Sequence, residues 1–256
     1  MALWTLLHTP AATGAENMAL DEALMETATS SGEWILRVYT WRRPTISFGR
    51  NQTARGAYDL DRIRAAGIDV VRRPTGGRAI LHHREITYSV TAPLDGAGDL
   101  RASYDRINRV LLAALRSLGA EATVAASTSR STPPGITPCF DHPSTGELTL
   151  DGRKLAGSAQ WRTETALLQH GSILVDDDQS SLAGLAIGAG MAARPATLSE
   201  ALGRVPTADE AAAALFAAVR HLEDDRATAL SLDPALCARQ SALVVRYMAD
   251  DWTWRR

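Results

Sequence analysis

The stretch Glu147-Leu148-Thr149-Leu150-Asp151-Gly152-Arg153-Lys154-Leu155 sets two short strand-like segments around an Asp-Gly pair. Aspartate and glycine both tolerate positive φ, which the central residues of a tight hairpin turn require. The reading is a β-hairpin, and it makes the middle of this chain part of a sheet. The same stretch holds the only lysine among 27 basic residues. Arginine keeps its charge under ordinary conditions, whereas a lysine amine can give up its proton. A chain that uses arginine everywhere else and lysine at 154 points to a place where an amine does what a guanidinium cannot.

Working outward, residues 166–175 read as a further strand region, interrupted at Gly171. Upstream, residues 35–41, 68–73, 79–82 and 86–92 are predicted strands, with a short one at 121–125. Thr75-Gly76-Gly77 breaks the chain between two of them. Helices fall among these strands irregularly. Thr13-Gly14-Ala15-Glu16 is a capping box that opens a helix running through Met25. Residues 59–66 make a short helix stopped by Gly67. The clearest helix spans 101–118, where Tyr104, Ile107, Leu111, Leu115 and Leu118 share a face and Gly119 ends the run. Beyond residue 180 the chain turns helical, with helices at 208–222 and 234–248. Thr197 with Glu200, and Thr207 with Glu210, have capping-box spacing. Without a repeat or a regular βαβ rhythm, the predicted class is α+β.

A chain of 256 residues can bury a sizeable core. Its 45% hydrophobic and 22% charged content is that of a soluble globular protein. The net charge of −2 gives no global field for nucleic acid. No apolar run is long enough to span a bilayer, and the first residues lack the pattern of a secretory leader, so the expectation is a cytoplasmic protein without membrane association. Two cysteines cannot build a disulfide framework, and no cysteine or histidine spacing suits a metal. His82 and His83, as neighbours on a strand, would point to opposite faces.

Cys139 follows Pro138 at the end of a Ser-, Thr- and Pro-rich stretch. Such a loop position suits an exposed, reactive thiol. Cys237 falls on a helix and reads as a small core residue. Lys154 could lower the thiol's pKa as an ammonium, or act as a general base as an amine. Gly76 and Gly77 end a strand and would let a ligand approach the backbone. His82, His83, His142 and His170 are each able to serve as acid or base. Arg42, Arg43, Arg50, Arg72, Arg73 and Arg78 crowd the first third, either as dispersed surface charges or as a patch for an acidic partner.

Four segments together resemble the lipoate and biotin protein ligase/transferase superfamily. They are Glu16-Asn17-Met18-Ala19-Leu20-Asp21-Glu22-Ala23-Leu24, Arg72-Arg73-Pro74-Thr75-Gly76-Gly77-Arg78-Ala79-Ile80-Leu81-His82, Asp151-Gly152-Arg153-Lys154-Leu155-Ala156-Gly157-Ser158-Ala159-Gln160 and Leu168-Gln169-His170-Gly171-Ser172-Ile173-Leu174. Pro44 to Gln52 is a fainter fifth. Cys139 ahead of the Asp-Gly-Arg-Lys motif, and the closing Trp254-Arg255-Arg256, are similar to the cysteine-dependent octanoyltransferases of that superfamily. One departure is His83, where the family often carries an acidic residue; it leaves Arg84 and Glu85 without an assigned role.

The resemblance implies a fold: a mixed, largely antiparallel sheet with flanking helices, like the catalytic domain of class II aminoacyl-tRNA synthetases and biotin synthetases. Residues 1–205 would form the acyltransferase domain, and 206–256 a short helical extension packed on it. It also implies a reaction. Cys139 takes an octanoyl group from octanoyl-acyl carrier protein as a thioester, and the target lysine of an apo lipoyl domain, such as glycine cleavage H protein, then takes it as an amide. Cys139 and Lys154 would be catalytic. Arg73, Gly76, Gly77, His82, Gly157, Ser158, Ala159, His170 and Gly171 would contact substrate. Backbone amides near Gly157-Ser158 or Gly76-Gly77 could hold the oxyanion. No cofactor, metal or ATP is implied, because the donor is already activated. The competing readings are an amidotransferase between lipoyl domains, an ATP-dependent lipoate or biotin ligase, and a non-catalytic carrier-binding homologue.

Overall fold

The capping box at Thr13 is built as the sequence reads. The Thr13 hydroxyl accepts from the Glu16 amide at 3.3 Å, and the Glu16 carboxylate accepts from the Thr13 amide at 2.8 Å. It opens α1 (Gly14–Ser31), which ends at Gly32 with φ of 76°. The computed structural model describes residues 2–94, 100–125, 146–188 and 193–256. Around α1 the chain order is β1 (Trp4–His8), β2 (Trp34–Tyr39), β3 (Thr45–Phe48), α2 (Leu60–Ala65), β4 (Asp69–Arg72), β5 (Ile80–His82), β6 (Glu85–Pro93) and α3 (Leu100–Leu118). Then follow β7 (Thr123–Val124), β8 (Leu148–Leu150), β9 (Arg153–Arg162), β10 (Ala166–Leu174), α4 (Gln179–Ala183), α5 (Leu198–Leu202), α6 (Ala208–Leu222), β11 (Thr228–Ala229), α7 (Pro234–Met248) and α8 (Asp250–Thr253).

The large sheet has the order β11-β1-β2-β6-β10-β9-β8-β7. Its two β1 pairings are parallel and the rest antiparallel, so the predicted α+β class with a mixed, largely antiparallel sheet is what forms. A second sheet, β4-β3-β5, carries its own core of Ile46, Phe48, Tyr58, Leu81, Leu182 and Leu185. Strand alternation sorts the helices onto two faces. Leu36 and Val38 join the Ile107, Val110, Leu111 and Leu115 face of α3 in the main apolar core. Arg37 and Tyr39 point the other way, to α1. Burying a stripe of this kind contributes roughly 1.5–3 kcal/mol per large side chain, which is ample to hold helices this long on the sheet.

The hairpin at residues 151–152 is a tight one, with φ of 49° at Asp151 and 73° at Gly152. Several expectations need correction. Gly171 does not interrupt its strand; β10 runs through it, paired with Tyr88 and Ser158. Glycine is there because a Cβ would lie 2.7 Å from the Tyr88 ring and 2.5 Å from the Gly157 oxygen. β1 and β3 escaped sequence reading, being only 5 and 4 residues long. Thr197 caps the Glu200 amide at 3.3 Å, but the Glu200 carboxylate turns to Arg153 instead of closing a box. Arg72 and Arg73 are buried, not surface charges. Cys237 is exposed, because α7 turns Leu236 and Tyr247 inward and leaves its neighbour outside.

Residues past 205 are not only helical. α6 lies on α3, α7 on α1, and β11 adds a parallel edge to β1. Among the described residues no helix is long and apolar enough to cross a membrane.

Gly49 tests how the Gly-Gly loop seats against the end of β3. A Cβ there would stand 2.0 Å from the Gly77 main-chain oxygen, which belongs to the Gly-Gly loop. Backbone cannot yield as a side-chain tip can. Gly49→Ala is expected to cost about 3 kcal/mol or more, read as a lowered denaturant midpoint. A midpoint matching the parent chain would mean that the loop is not packed on residue 49.

Candidate active site

The Asp21 carboxylate sits on the inner face of α1 with no solvent exposure. Its Oδ1 accepts from Arg37 Nη1 and Ser89 Oγ, each at 2.7 Å, and its Oδ2 accepts from the Tyr39 hydroxyl at 2.8 Å. His170 Nδ1 lies 3.2 Å from the same Oδ2. Burial alone would raise the Asp21 pKa; the Arg37 guanidinium and the His170 contact outweigh it and hold the carboxyl below its ordinary value. A carboxylate facing Nδ1 puts the His170 proton there and leaves Nε2 as an acceptor. The Thr75 hydroxyl occupies that position at 2.6 Å. An Asp21–His170–Thr75 chain therefore ties α1 and β10 to the residue before Gly76-Gly77.

That loop is also gripped from below. Arg73 donates to the Gly76 oxygen at 2.8 Å, to the Arg78 oxygen at 2.7 Å and to Ser47 Oγ at 2.9 Å. Ser47 Oγ in turn meets His82 Nε2 at 2.7 Å. His82 Nδ1 faces Glu85 Oε1 at 2.6 Å, and the Trp41 ring stacks on the imidazole at 3.9 Å. Glu85, without an assigned role from the sequence, is thus the acidic partner of His82. Thr87 and Ser172 also donate to Glu85 Oε1, at 2.7 and 2.9 Å. His82, His170 and Arg73 thus form one buried polar group between α1, the large sheet and the small sheet, with half-buried Gly76 and exposed Gly77 at its edge.

Strand alternation divides the remaining candidates. Gly157 and Ala159 pair with Ser172 and His170 and share their face. Ser158 and Gly171 point to the α3 face, where Ser158 Oγ meets the Tyr88 hydroxyl at 2.6 Å. Gln169 Nε2 donates to the same hydroxyl at 2.9 Å and Gln169 Oε1 accepts from Gln160 at 3.0 Å. Burial pushes Tyr88 up to about 12, so this phenol stays protonated.

Lys154 follows the hairpin turn on β9 and is 2% exposed. Its Nζ meets Glu147 Oε1 at 2.7 Å. The pairing of β8 with β9 shifts register between Leu148↔Ala156 and Thr149↔Lys154, leaving Leu155 unmatched. A bulge of this kind changes the alternation and re-aims the side chain beside it. Glu147 was not singled out by sequence reading, although it stands in the quoted stretch: seven residues across a hairpin is a pairing distance, but the bulge that permits it has no sequence mark. Cys139 and His142 lie outside the described residues. Among the described residues no cluster of three or more His, Cys, Asp or Glu side chains could hold a metal.

A model of the lipoyl protein ligase A/B catalytic domain matches residues 13–220. The chain belongs to that family. It is 40% identical over 99% of its length to the octanoyltransferase LipM of Symbiobacterium thermophilum, of which 98% is covered. It is 35% identical to the octanoyltransferase LipM of an Exiguobacterium strain, with 99% and 98% covered. These relatives make it an acyltransferase. Among solved structures, a putative lipoate protein ligase from T. acidophilum with bound lipoic acid superposes with a TM-score of 0.80 at 23% identity, covering 99% of each chain. Lipoate-protein ligase A bound with ATP gives 0.76 at 22%, covering 99% of this chain and 98% of that one. At such identity these two speak for the fold.

Burial lowers the His170 pKa from its ordinary 6.5, with the Asp21 carboxylate opposing in part. The neutral ring is the native form, so the unfolded chain binds more protons just below pH 6.5. Stability from this group is complete above that pH and drains as pH falls from it toward the folded value. Asp21 adds loss of the same sign only below 3.8. Melting temperature is therefore expected to fall on acidification from pH 6.5, and His170→Gln should flatten that slope. An unchanged slope in the variant would assign the proton uptake to another group.

Proposed function

We propose that this chain moves an octanoyl group from octanoyl-acyl carrier protein to the target lysine of an apo lipoyl domain, glycine cleavage H protein being the first acceptor to try, through a thioester on Cys139, as a cytoplasmic step of protein lipoylation. The observation that carries the reading is near-full-length identity of 40% with a relative named for octanoyl transfer. The chemistry balances without ATP. The Cys139 thiolate attacks the donor carbonyl, the carrier's C–S bond breaks, and the carrier thiol leaves with a proton. The acceptor amine then attacks the Cys139 thioester, loses its proton, and releases the Cys139 thiol as the amide forms.

Two roles were open for Lys154. The buried contact with Glu147 at 2.7 Å favours one of them. An ammonium held against a carboxylate is a fixed positive charge, so its part is to stabilise the Cys139 thiolate and the oxyanion that follows. Amides of the Gly76-Gly77 loop, whose carbonyls at Gly76 and Arg78 are engaged by Arg73, are the proposed oxyanion donors. Arg73, His82 and His170 hold that loop, and Gly157, Ser158, Ala159 and Gly171 line the strands beside it. Each buried methylene is worth about 0.8 kcal/mol, so affinity alone separates eight carbons from six by roughly tenfold.

Mass spectrometry of the chain with octanoyl-acyl carrier protein and apo H protein, without ATP, tests the reaction. Octanoylated H protein and an acyl adduct on Cys139 are expected. Cys139→Ala should abolish the adduct, and Cys237→Ala should keep it. Modification only with free octanoate and ATP would make the chain a ligase. Transfer only from an octanoylated lipoyl domain would make it an amidotransferase, and no modification at all a binder.

The Lys154 role has its own measurement. Lys154→Gln should move the pH of half-maximal Cys139 alkylation upward, because the thiolate loses its neighbouring charge. An unmoved alkylation profile with lost turnover would return the residue to general-base duty.

A further inference from the structure

Residues 249–256 fold back over the loop that follows β3. The Ala54 amide donates to the Arg256 main-chain oxygen at 3.0 Å, and Arg55 Nε donates to the Trp254 oxygen at 2.8 Å. Arg255 donates to the Arg50 oxygen at 2.6 Å. The Trp252 indole, pinned by its own N–H to the Arg72 oxygen at 2.8 Å, becomes a platform. The guanidinium carbons of Arg255, Arg246 and Arg50 stand 4.2, 4.7 and 6.0 Å from its ring centroid, and Arg50 also lies 5.1 Å from the Trp161 ring. Arg55, Arg255 and Arg256 are exposed, and Arg50 is half-buried.

Most of the arginines here have no acidic partner among the described residues. Arg246 pairs with Glu22. Among the described residues Arg50, Arg55, Arg255 and Arg256 form no ion pair, and Asp250 and Asp251 of the same tail pair with none of them. Burial lowers the Arg255 pKa, and repulsion from Arg50, Arg256 and Arg246 adds to it. The chain as a whole carries −2, so this accumulation runs against the overall charge. Like charges are gathered by stacking on indoles and by donating to carbonyls, which leaves guanidinium N–H groups for an anion from outside. The surface also borders the candidate site, since the Arg50 amide donates to the Thr75 oxygen at 2.7 Å.

We infer that the Arg50–Trp252–Arg255 surface, with Arg55 and Arg256 around it, is where the acidic carrier protein that brings the acyl thioester docks. The inference rests on the proposed octanoyl transfer and adds the place where its donor binds. A carrier whose thiol arm hangs from a phosphodiester offers both surface carboxylates and a phosphate, and stacked guanidinium groups suit each. Lysine would serve poorly here, having no planar face to stack.

The experiment separates docking from chemistry. Binding of unacylated holo-carrier to the full chain is measured by titration calorimetry for the parent, Arg50→Glu and Arg255→Glu. Each reversal should weaken binding by at least about tenfold, and the parent's affinity should fall with added salt. Transfer kinetics then use two donors, octanoyl-acyl carrier protein and octanoyl-N-acetylcysteamine, which has neither protein nor phosphate. The variants should raise KM for the carrier donor and leave rates with the small donor and KM for the lipoyl domain as in the parent. Arg255→Gln, which keeps a donor to the Arg50 oxygen, should give an intermediate shift. Equal carrier affinity in parent and variants overturns the surface, as does a rise in KM for the lipoyl domain alone. Carrier binding intact in the parent with no transfer from either thioester overturns the proposed reaction and leaves the surface standing.

Discussion

A single buried carboxylate organises this molecule. Asp21 accepts from Arg37, Tyr39 and Ser89 and faces His170, so one side chain of α1 meets β2, β6 and β10 at once. Arg37 is as deeply buried as its partner, with 1% of its surface exposed. It donates further to Thr9 Oγ1 and to the Asn17 side chain and carbonyl, and lies over the Tyr39 ring. A pair of this kind gains little net stability over a well-packed apolar pair, but losing one partner strands the other charge at about 3–5 kcal/mol. What the arrangement supplies is register. α1 can sit on the sheet in one rotation and one translation, and His170 is then aimed at Thr75.

Buried arginines repeat this logic away from α1. Arg72 donates to the main-chain oxygens of Gly49, Gln52, Thr253 and Arg256. Burial, and then the neighbouring arginines, bring its pKa down to about 10, still well above neutrality. Arg73 does the same for Ser47, Gly76 and Arg78. Carbonyls at the ends of loops are acceptors that no regular ladder satisfies. A guanidinium with five donors can collect several of them in one place. Two adjacent residues thereby fasten the small sheet, the Gly-Gly loop and the C-terminal tail to one another, and a chain built this way has reason to choose arginine over lysine at nearly every basic position.

That division explains how much could be read from sequence. Period and punctuation are local, so α1, α3, α6, α7 and the hairpin at Asp151-Gly152 were legible, down to the capping boxes at Thr13 and Thr207. Gly171 misled because glycine in a strand has two causes, a break or a close approach, and only the packing of Tyr88 and Ser158 against it tells them apart. The motif residues were legible as types but not as neighbours. His82 and His170 both lie in quoted motifs, yet their partners Glu85 and Asp21 come from a position three residues on and from another element. Asp21 did leave a trace, as a charged residue within the apolar face made by Met18, Leu20 and Leu24, and polar residues on such faces repay attention when no solvent can reach them.

The lone lysine brings these threads together. Every buried arginine described above donates to several acceptors, and its shape is set by them. Lys154 sits at a bulge with a carboxylate at 2.7 Å and 1% side-chain exposure, where a long planar head would need acceptors on several sides. A compact ammonium on a flexible stem can meet a carboxylate there without needing that planar fork. Position 154 thus carries a compact head directed by the bulge, where Arg37, Arg72 and Arg73 present planar forks. The same physics that made arginine the general choice, many fixed donors for many fixed acceptors, works against it at a bulge where the Glu147 carboxylate lies 2.7 Å away.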